Sequence, residues 1–383
     1  MVGVSTPVRS SPRDRTRDAV LALIREGDGV TRSELVATTG LSRSTVNHAV
    51  SRLLESGQVA EAGAEAKGRG SGSGRAGLLL RPVASDRRVA GIDIGHAHVA
   101  VALADELGVE LGSALVELDV DADAGDTIRA ACELYEGLAA RFGGAESAVA
   151  GVPLPIDRRT GAVRASTAIT SWASANPASE LTTRFGFPVH VENDAVVGAI
   201  GELSQGAGRH WRDFLYVKAS HGIGAALIID GEPYRGAVGL AGDIGHNKVP
   251  GRSELCRCGD RGCVEAAASL DAVRTQFLHT HPGVEALDPA AVDEVTARIL
   301  DEAGRVLGRI IAEHCNMLNP EGVIVGGALS RLHPAFMDGV TWSMREVARP
   351  TIVGETPVVA AELGTRAQLL GATRLAASRL ARP

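Results

Sequence analysis

The chain has 383 residues, 45% of them hydrophobic and 22% charged, with a formal net charge of −7. That is the composition of a soluble globular protein, not of a fibrous or disordered one. No apolar run approaches the roughly 18 residues that a membrane span needs, and residues 1–17 lack an apolar secretory core, so a cytoplasmic location with no membrane partner is expected.

The charge is uneven. Residues 1–90 carry 14 basic and 9 acidic side chains, a net +5, against −12 for the remainder. A basic head on an acidic body points to a polyanionic partner for the head alone. Residues 1–12 are rich in Ser, Pro, Val and Arg and read as a disordered tail. A helix is predicted over 14–26, with Val20, Leu21, Leu23 and Ile24 as its apolar stripe. Thr31 and Glu34 form a capping box, in which each side chain satisfies the other's backbone N–H, and they start a second helix that ends near Thr39. Gly40 supplies the left-handed turn residue. Ser42 caps a third helix over 43–55, which Gly57 stops.

The third helix has an apolar face of Val46, Ala49, Val50, Leu53 and Leu54 and an opposite face of Arg43, Ser44, Asn47, His48, Ser51 and Arg52. Arginine pairs with guanine edges and asparagine with adenine edges in a major groove, so Arg43, Ser44 and Asn47 are candidate base contacts, and His48 on the same face is a further candidate DNA contact. Arg52 is a candidate phosphate contact. Short strands over 58–60 and 78–81 flank a Gly/Ser/Arg segment. Read as a wing rather than a linker, that segment brings Arg69 and Arg75 to the DNA backbone or minor groove. The alternative for the head is a helical protein-interaction module.

From residue 88 onward strands and helices alternate. Strands are expected over 88–94, 98–104, 110–116, 149–153, 189–192, 214–219, 223–229 and 323–325, and helices over 126–142, 269–279, 293–318 and 367–380. This order gives an α/β architecture with two lobes. The helix over 293–318 reads either as core or as a subunit contact.

Five cysteines in an odd count do not read as a disulfide framework. Cys132 and Cys315 lie in apolar helical pattern and read as core. Cys256, Cys258 and Cys263 fall within eight residues, and His246 lies ten residues upstream of Cys256. Three thiolates and one imidazole make a closed tetrahedral zinc site, which is structural because no coordination position is left open.

The string Gly239-Leu-Ala-Gly-Asp-Ile-Gly-His246, followed by Cys256-Arg-Cys-Gly-Asp-Arg-Gly-Cys263 and Glu265, closely resembles the ROK signature (repressors, open reading frames and sugar kinases). Gly91-Ile-Asp-Ile-Gly95, Val191-Glu-Asn-Asp-Ala195 and Asn319-Pro-Glu-Gly-Val-Ile-Val-Gly-Gly327 resemble it in the same order. The resemblance runs from residue 88 to 383, and the preceding 13–85 resembles the winged helix-turn-helix head of the repressor branch. It implies a two-lobed actin/hexokinase-like, ribonuclease H-like fold, with a lobe boundary near residue 200 and the C-terminal helix packed back on the first lobe. It also implies a sugar in the cleft, contacted by Asn193, Asp194, Asp243, His246 and Glu265. Asp194 matches the general base of the kinases.

The nucleotide side departs from the family pattern. Where active members follow Asp-Ile-Gly with Gly-Thr-Lys, this chain has His96, Ala97 and His98, which removes a glycine, a hydroxyl and a permanent cation. The second phosphate loop reads Ser220-His-Gly-Ile-Gly-Ala-Ala226, with His221 in place of the usual Thr. On the sugar side, Leu154 replaces a glycine and Asp243 a glutamate. The expectation is a sugar-responsive DNA-binding regulator, most simply a repressor. It would act as a homodimer or homotetramer on an inverted-repeat operator, with Asp194 a vestigial base and no catalysis. The alternative is a sugar kinase carrying a regulatory DNA-binding head.

Overall fold

In a computed structural model of the protein, residues 12–26, 29–64, 78–83, 86–157, 160–163, 172 and 176–380 are described. The chain divides into two compact units, residues 1–86 and 87–383. Among the described residues no helix is long and apolar enough to cross a membrane.

The first unit is built on three helices, α1 (Pro12–Glu26), α2 (Arg32–Thr39) and α3 (Arg43–Glu55). Pro12, assigned to the tail on sequence, is the first residue of α1, where its missing N–H costs nothing. Val20, Leu21 and Ile24 of α1 pack with Leu35 of α2 and with Val46, Val50 and Leu53 of α3, all buried. The capping box forms: Thr31 Oγ1 accepts from Glu34 N, and Glu34 Oε2 accepts from Thr31 N at 2.7 Å. Gly40 closes α2 at φ +66°. Strands β1 (Val30–Thr31), β2 (Val59–Ala64) and β3 (Leu78–Pro82) make a small antiparallel sheet in the order β1-β3-β2. Arg69 and Arg75, between β2 and β3, lie outside the described residues.

The second unit contains two five-stranded sheets with one topology. The first joins β4 (Arg88–Ile94), β5 (His98–Asp105), β6 (Glu110–Glu117), β7 (Ser147–Val152) and β8 (Val189–Asn193) in the order β6-β5-β4-β7-β8. The second joins β9 (Phe214–Ala219), β10 (Ile223–Ile229), β11 (Glu232–Tyr234), β12 (Gly322–Gly326) and β13 (Val358–Ala360) in the order β11-β10-β9-β12-β13. In each, the first three strands form an antiparallel meander and the last two are parallel to the leading strand, β4 or β9. The body is therefore a structural repeat, and the leading hairpin turn of each half occupies an equivalent place.

Helix α4 (Ala124–Phe142), capped by Asp123, covers the first sheet with Ile128, Ala131, Tyr135 and Leu138. Its Cys132 is half-buried. Helix α9 (Glu294–Leu318) buries Leu300, Ala303, Leu307, Ile311 and Cys315 in the core of the second half, so one full face of this helix is core. Helix α5 (Pro177–Phe185) precedes β8, α6 (Asp194–Gln205) links the halves, and α7 (Val264–Ala268), α8 (Leu270–Thr280), α10 (Leu329–Leu332), α11 (Pro334–Val347) and α12 (Pro350–Glu355) belong to the second half. The last helix, α13 (Ala367–Leu380), packs on β4, β7 and α6. That approach is close: a Cβ on Gly371 would stand 1.7 Å from Val197 O, and one on Gly201 would stand 2.2 Å from Ala367 O.

Candidate functional site

A cleft with an open volume of about 770 Å³ is lined by Asn193, Asp194, Lys218, Asp243, His246, Arg257 and Glu265, together with His96, the Pro153–Pro155 turn and glycine-rich backbone around 222–224 and 239–242. All five residues assigned to the sugar on sequence therefore line one cavity. Asn193 ends β8 and caps α6: its Oδ1 accepts from Ala195 N at 3.0 Å and Val196 N at 3.4 Å, and its Nδ2 donates to Leu154 O at 3.4 Å. Most of its amide is spent on presenting the next residue, Asp194, to the cleft floor. Asp194 sits in the first turn of α6, where the helix dipole favours a carboxylate. Glu265 is 9% exposed, and its Oε2 accepts from Ile223 N at 3.1 Å, fixing the strand edge behind the second turn. Asp243 stands at the rim, with Oδ1 3.9 Å from His246 Nε2.

The histidine faces two ways. Its Nδ1 lies 3.7 Å from Cys256 Sγ, and Cys258 Sγ lies 3.7 Å from Cys263 Sγ. One ligand atom from each of His246, Cys256, Cys258 and Cys263 falls within 4.8 Å of the other three. Four donors about 2.3 Å from a common ion at tetrahedral angles stand about 3.8 Å apart, so this spacing and donor set fit a tetrahedral metal. Burial pushes the Cys256 thiol up to about 12 and the Cys263 thiol above its ordinary value. A buried thiolate needs a cation beside it.

Sequence reasoning missed a ring of side chains across the mouth of the cleft. His96, in the β4–β5 turn, places Nδ1 2.9 Å from Asp121 Oδ1. His221, in the β9–β10 turn, places Nδ1 2.9 Å from Asp271 Oδ1. The two imidazole centroids are 5.6 Å apart. Arg257, between two of the metal-cluster cysteines, closes the ring: Nη2 donates to Asp271 Oδ2 at 2.8 Å, Nη1 lies 3.9 Å from Asp121 Oδ2, and Nε lies 3.5 Å from Glu265 Oε1. The hydrogen bond from His221, helped by its charge and that of Arg257, holds the Asp271 carboxyl below its usual range against the opposing effect of burial. Both turns that depart from the family pattern are thus filled by paired side chains. His98 does not reach the ring: its Nε2 pairs with Asp93 Oδ2 at 3.1 Å.

Residues 89–379 match the ROK family, and residues 13–60 match a winged helix-turn-helix DNA-binding family. The chain belongs to the ROK family. Its ROK relatives include a xylose repressor of Caldicellulosiruptor bescii, 28% identical over 86% of both chains. A solved ROK transcriptional regulator homologous to E. coli Mlc superposes with a TM-score of 0.75 over 96% of both chains at 22% identity, which shows the shared fold. A ROK glucokinase of Streptomyces griseus, solved with glucose and AMPPNP, superposes with a TM-score of 0.66 at 28% identity, over 76% of this chain and 99% of its own. The winged helix-turn-helix match lies in the head. There Arg43, Ser44, Asn47 and His48 are exposed along one side of α3 and Arg52 is half-buried, while Val46, Ala49, Val50 and Leu53 face the core.

Proposed function

We propose that this ROK protein is a sugar-responsive transcriptional repressor whose kinase-like body is a receptor and no longer an enzyme. One observation carries the reading. A single chain joins a helix with an exposed polar face to a cleft whose two leading turns carry the His96–Asp121 and His221–Asp271 pairs. Open backbone N–H groups at those turns would be needed to stabilise the charge of a phosphoryl group in flight.

In this reading Arg43, Ser44 and Asn47 contact base edges, Arg52 contacts phosphate, and His48, Arg69 and Arg75 are further DNA contacts. Asn193, Asp194, Asp243, His246 and Glu265 bind the sugar, and Asp194 accepts a hydroxyl without removing its proton. The zinc held by His246, Cys256, Cys258 and Cys263 is structural, and it fixes the imidazole whose other nitrogen faces the cleft. Two or four copies present their heads to an inverted-repeat operator. A sugar that binds one arrangement about 100-fold better than the other supplies about 2.7 kcal/mol of coupling. The relatives' names make xylose and glucose the first sugars to try.

Footprinting of DNA beside sugar-uptake genes tests this. A protected palindrome that is released by one sugar is expected, with affinity falling steeply as salt rises. Absence of any protected palindrome across low and moderate salt overturns it.

A further inference from the structure

Lys218 is a lysine within an otherwise apolar strand. β9 is the central strand of its sheet, and Lys218 sits one residue short of its end. Its side chain is 13% exposed. Lysine is almost never buried to this degree without a partner. The neighbouring strands clear a path for it, because the residues directly across are both glycine, Gly224 on β10 and Gly326 on β12. The ammonium ends 2.5 Å from Asp194 Oδ2, and that carboxylate is only 9% exposed.

A second buried carboxylate lies within electrostatic reach of the same charge. Asp93 lies one residue short of the end of β4, the place in the first repeat that Lys218 holds in the second. It is 2% exposed, and its Oδ1 is buried without a hydrogen-bond partner among the described residues. Burial alone would pull the lysine below its ordinary pKa. Asp194 and then Asp93 outweigh it and hold it above. One ammonium on Asp194, with a second buried carboxylate in electrostatic reach that His98 holds by Oδ2 and that keeps Oδ1 free, resembles the charge arrangement of a metal site with a side chain in the metal's place.

We propose that Lys218 is the fixed internal cation of the Asp93–Asp194 pair, standing where a divalent metal would otherwise bind and keeping the cleft floor charge-balanced without one. The ammonium takes one face of Asp194 and leaves Oδ1 for a ligand hydroxyl. A cleft that cannot hold a divalent ion at its floor cannot bring a metal-bound nucleotide to a sugar, whatever its turns allow. The proposal rests on the receptor reading above and adds to it the residue that enforces it.

The test uses the full-length, zinc-loaded protein and Mn²⁺, with free Mn²⁺ followed by electron paramagnetic resonance. The wild type is expected to hold no Mn²⁺ through Asp194. Lys218→Ser is expected to gain one site, roughly tenfold or more tighter than any in the wild type, because Asp194 then faces the ion without its ammonium and Asp93 keeps only its contact with His98. Adding Asp93→Asn or Asp194→Asn should abolish that site. If Lys218→Ser does not fold, Lys218→Ser/Asp194→Asn should, since charge balance is restored. The proposal is overturned if folded Lys218→Ser gains no site, if the wild type already holds Mn²⁺ in a site lost on Asp194→Asn, or if neither carboxylate substitution rescues an unfolded Lys218→Ser. No sugar or DNA enters the experiment, so those outcomes leave the receptor reading standing.

Discussion

His96 and His221 occupy equivalent turns of the two repeats, and their rings face each other at 5.6 Å across the cleft. Each turns Nδ1 away to its own carboxylate, Asp121 or Asp271. Arg257 spans those two carboxylates, so the ring joins the first half, the second half and the metal-cluster loop. Arg257→Met should therefore weaken sugar binding by about tenfold, near 1–2 kcal/mol for charge-assisted contacts at a partly exposed site. Calorimetric titration of the sugar checks this; an unchanged affinity would separate the ring from the ligand.

The same ring makes a pH prediction. Asp271 has a folded-state pKa below its ordinary value, chiefly through the hydrogen bond from His221. A depressed carboxyl contributes stability that is present above the unfolded value, about 3.9, and is lost as pH falls through the lower folded value. Wild type should lose stability faster than His221→Ala as pH drops from about 4 downward. Melting temperatures measured across that range decide it, and parallel curves for the two proteins count against the assignment.

The helices of the head and eight of the ten strands described in the body were legible because their signals are local, whereas the short strands Glu232–Tyr234 and Val358–Ala360 were not read. The capping box at Thr31, the left-handed Gly40 and the Ser42 cap each depend on residues three or four apart. The Cys/His cluster was legible for the same reason, since three of its four ligands fall in one loop. The ring was not, because Asp121 comes from a distant loop and Asp271 from the first turn of the helix Leu270–Thr280, and nothing nearby marks them as partners of His96 and His221. Lys218 did leave a trace. A lysine inside Phe214–Ala219 breaks an otherwise apolar strand, and a buried cation requires an acid from elsewhere. Asn193 was read as a sugar ligand, but the cap it makes on α6 needed the helix start to be placed.

Removing the metal should loosen the loop from His246 to Cys263 and, through Arg257, the cleft. One zinc per chain is expected on release with a thiol-modifying reagent. Chelation should lower the melting temperature and weaken sugar binding together, because metal binding is part of the local folding free energy. A chelated protein that binds sugar normally would detach the cluster from the site.

Gly371→Ala tests the packing that holds Asp194 in place. The new methyl would meet Val197 O of α6 at 1.7 Å. The helices must part, at a cost of about 1–3 kcal/mol typical of overpacked cores. Denaturant unfolding of the body should register that loss.

On the head, Asn47→Ala should cost about 1–3 kcal/mol of operator affinity and relax the preference at one base pair, if the exposed amide reads an adenine. Binding assays on operators changed one position at a time would reveal it, and a uniform loss at every position would make Asn47 a backbone contact instead.

The most direct test of the account is operator affinity measured by fluorescence anisotropy as sugar is added, for wild type and Asp194→Asn, without nucleotide. The account predicts that sugar alone weakens wild-type binding by roughly tenfold or more and leaves Asp194→Asn bound. An operator complex indifferent to every sugar until Mg²⁺ and ATP are supplied, with sugar phosphate then accumulating, would contradict it.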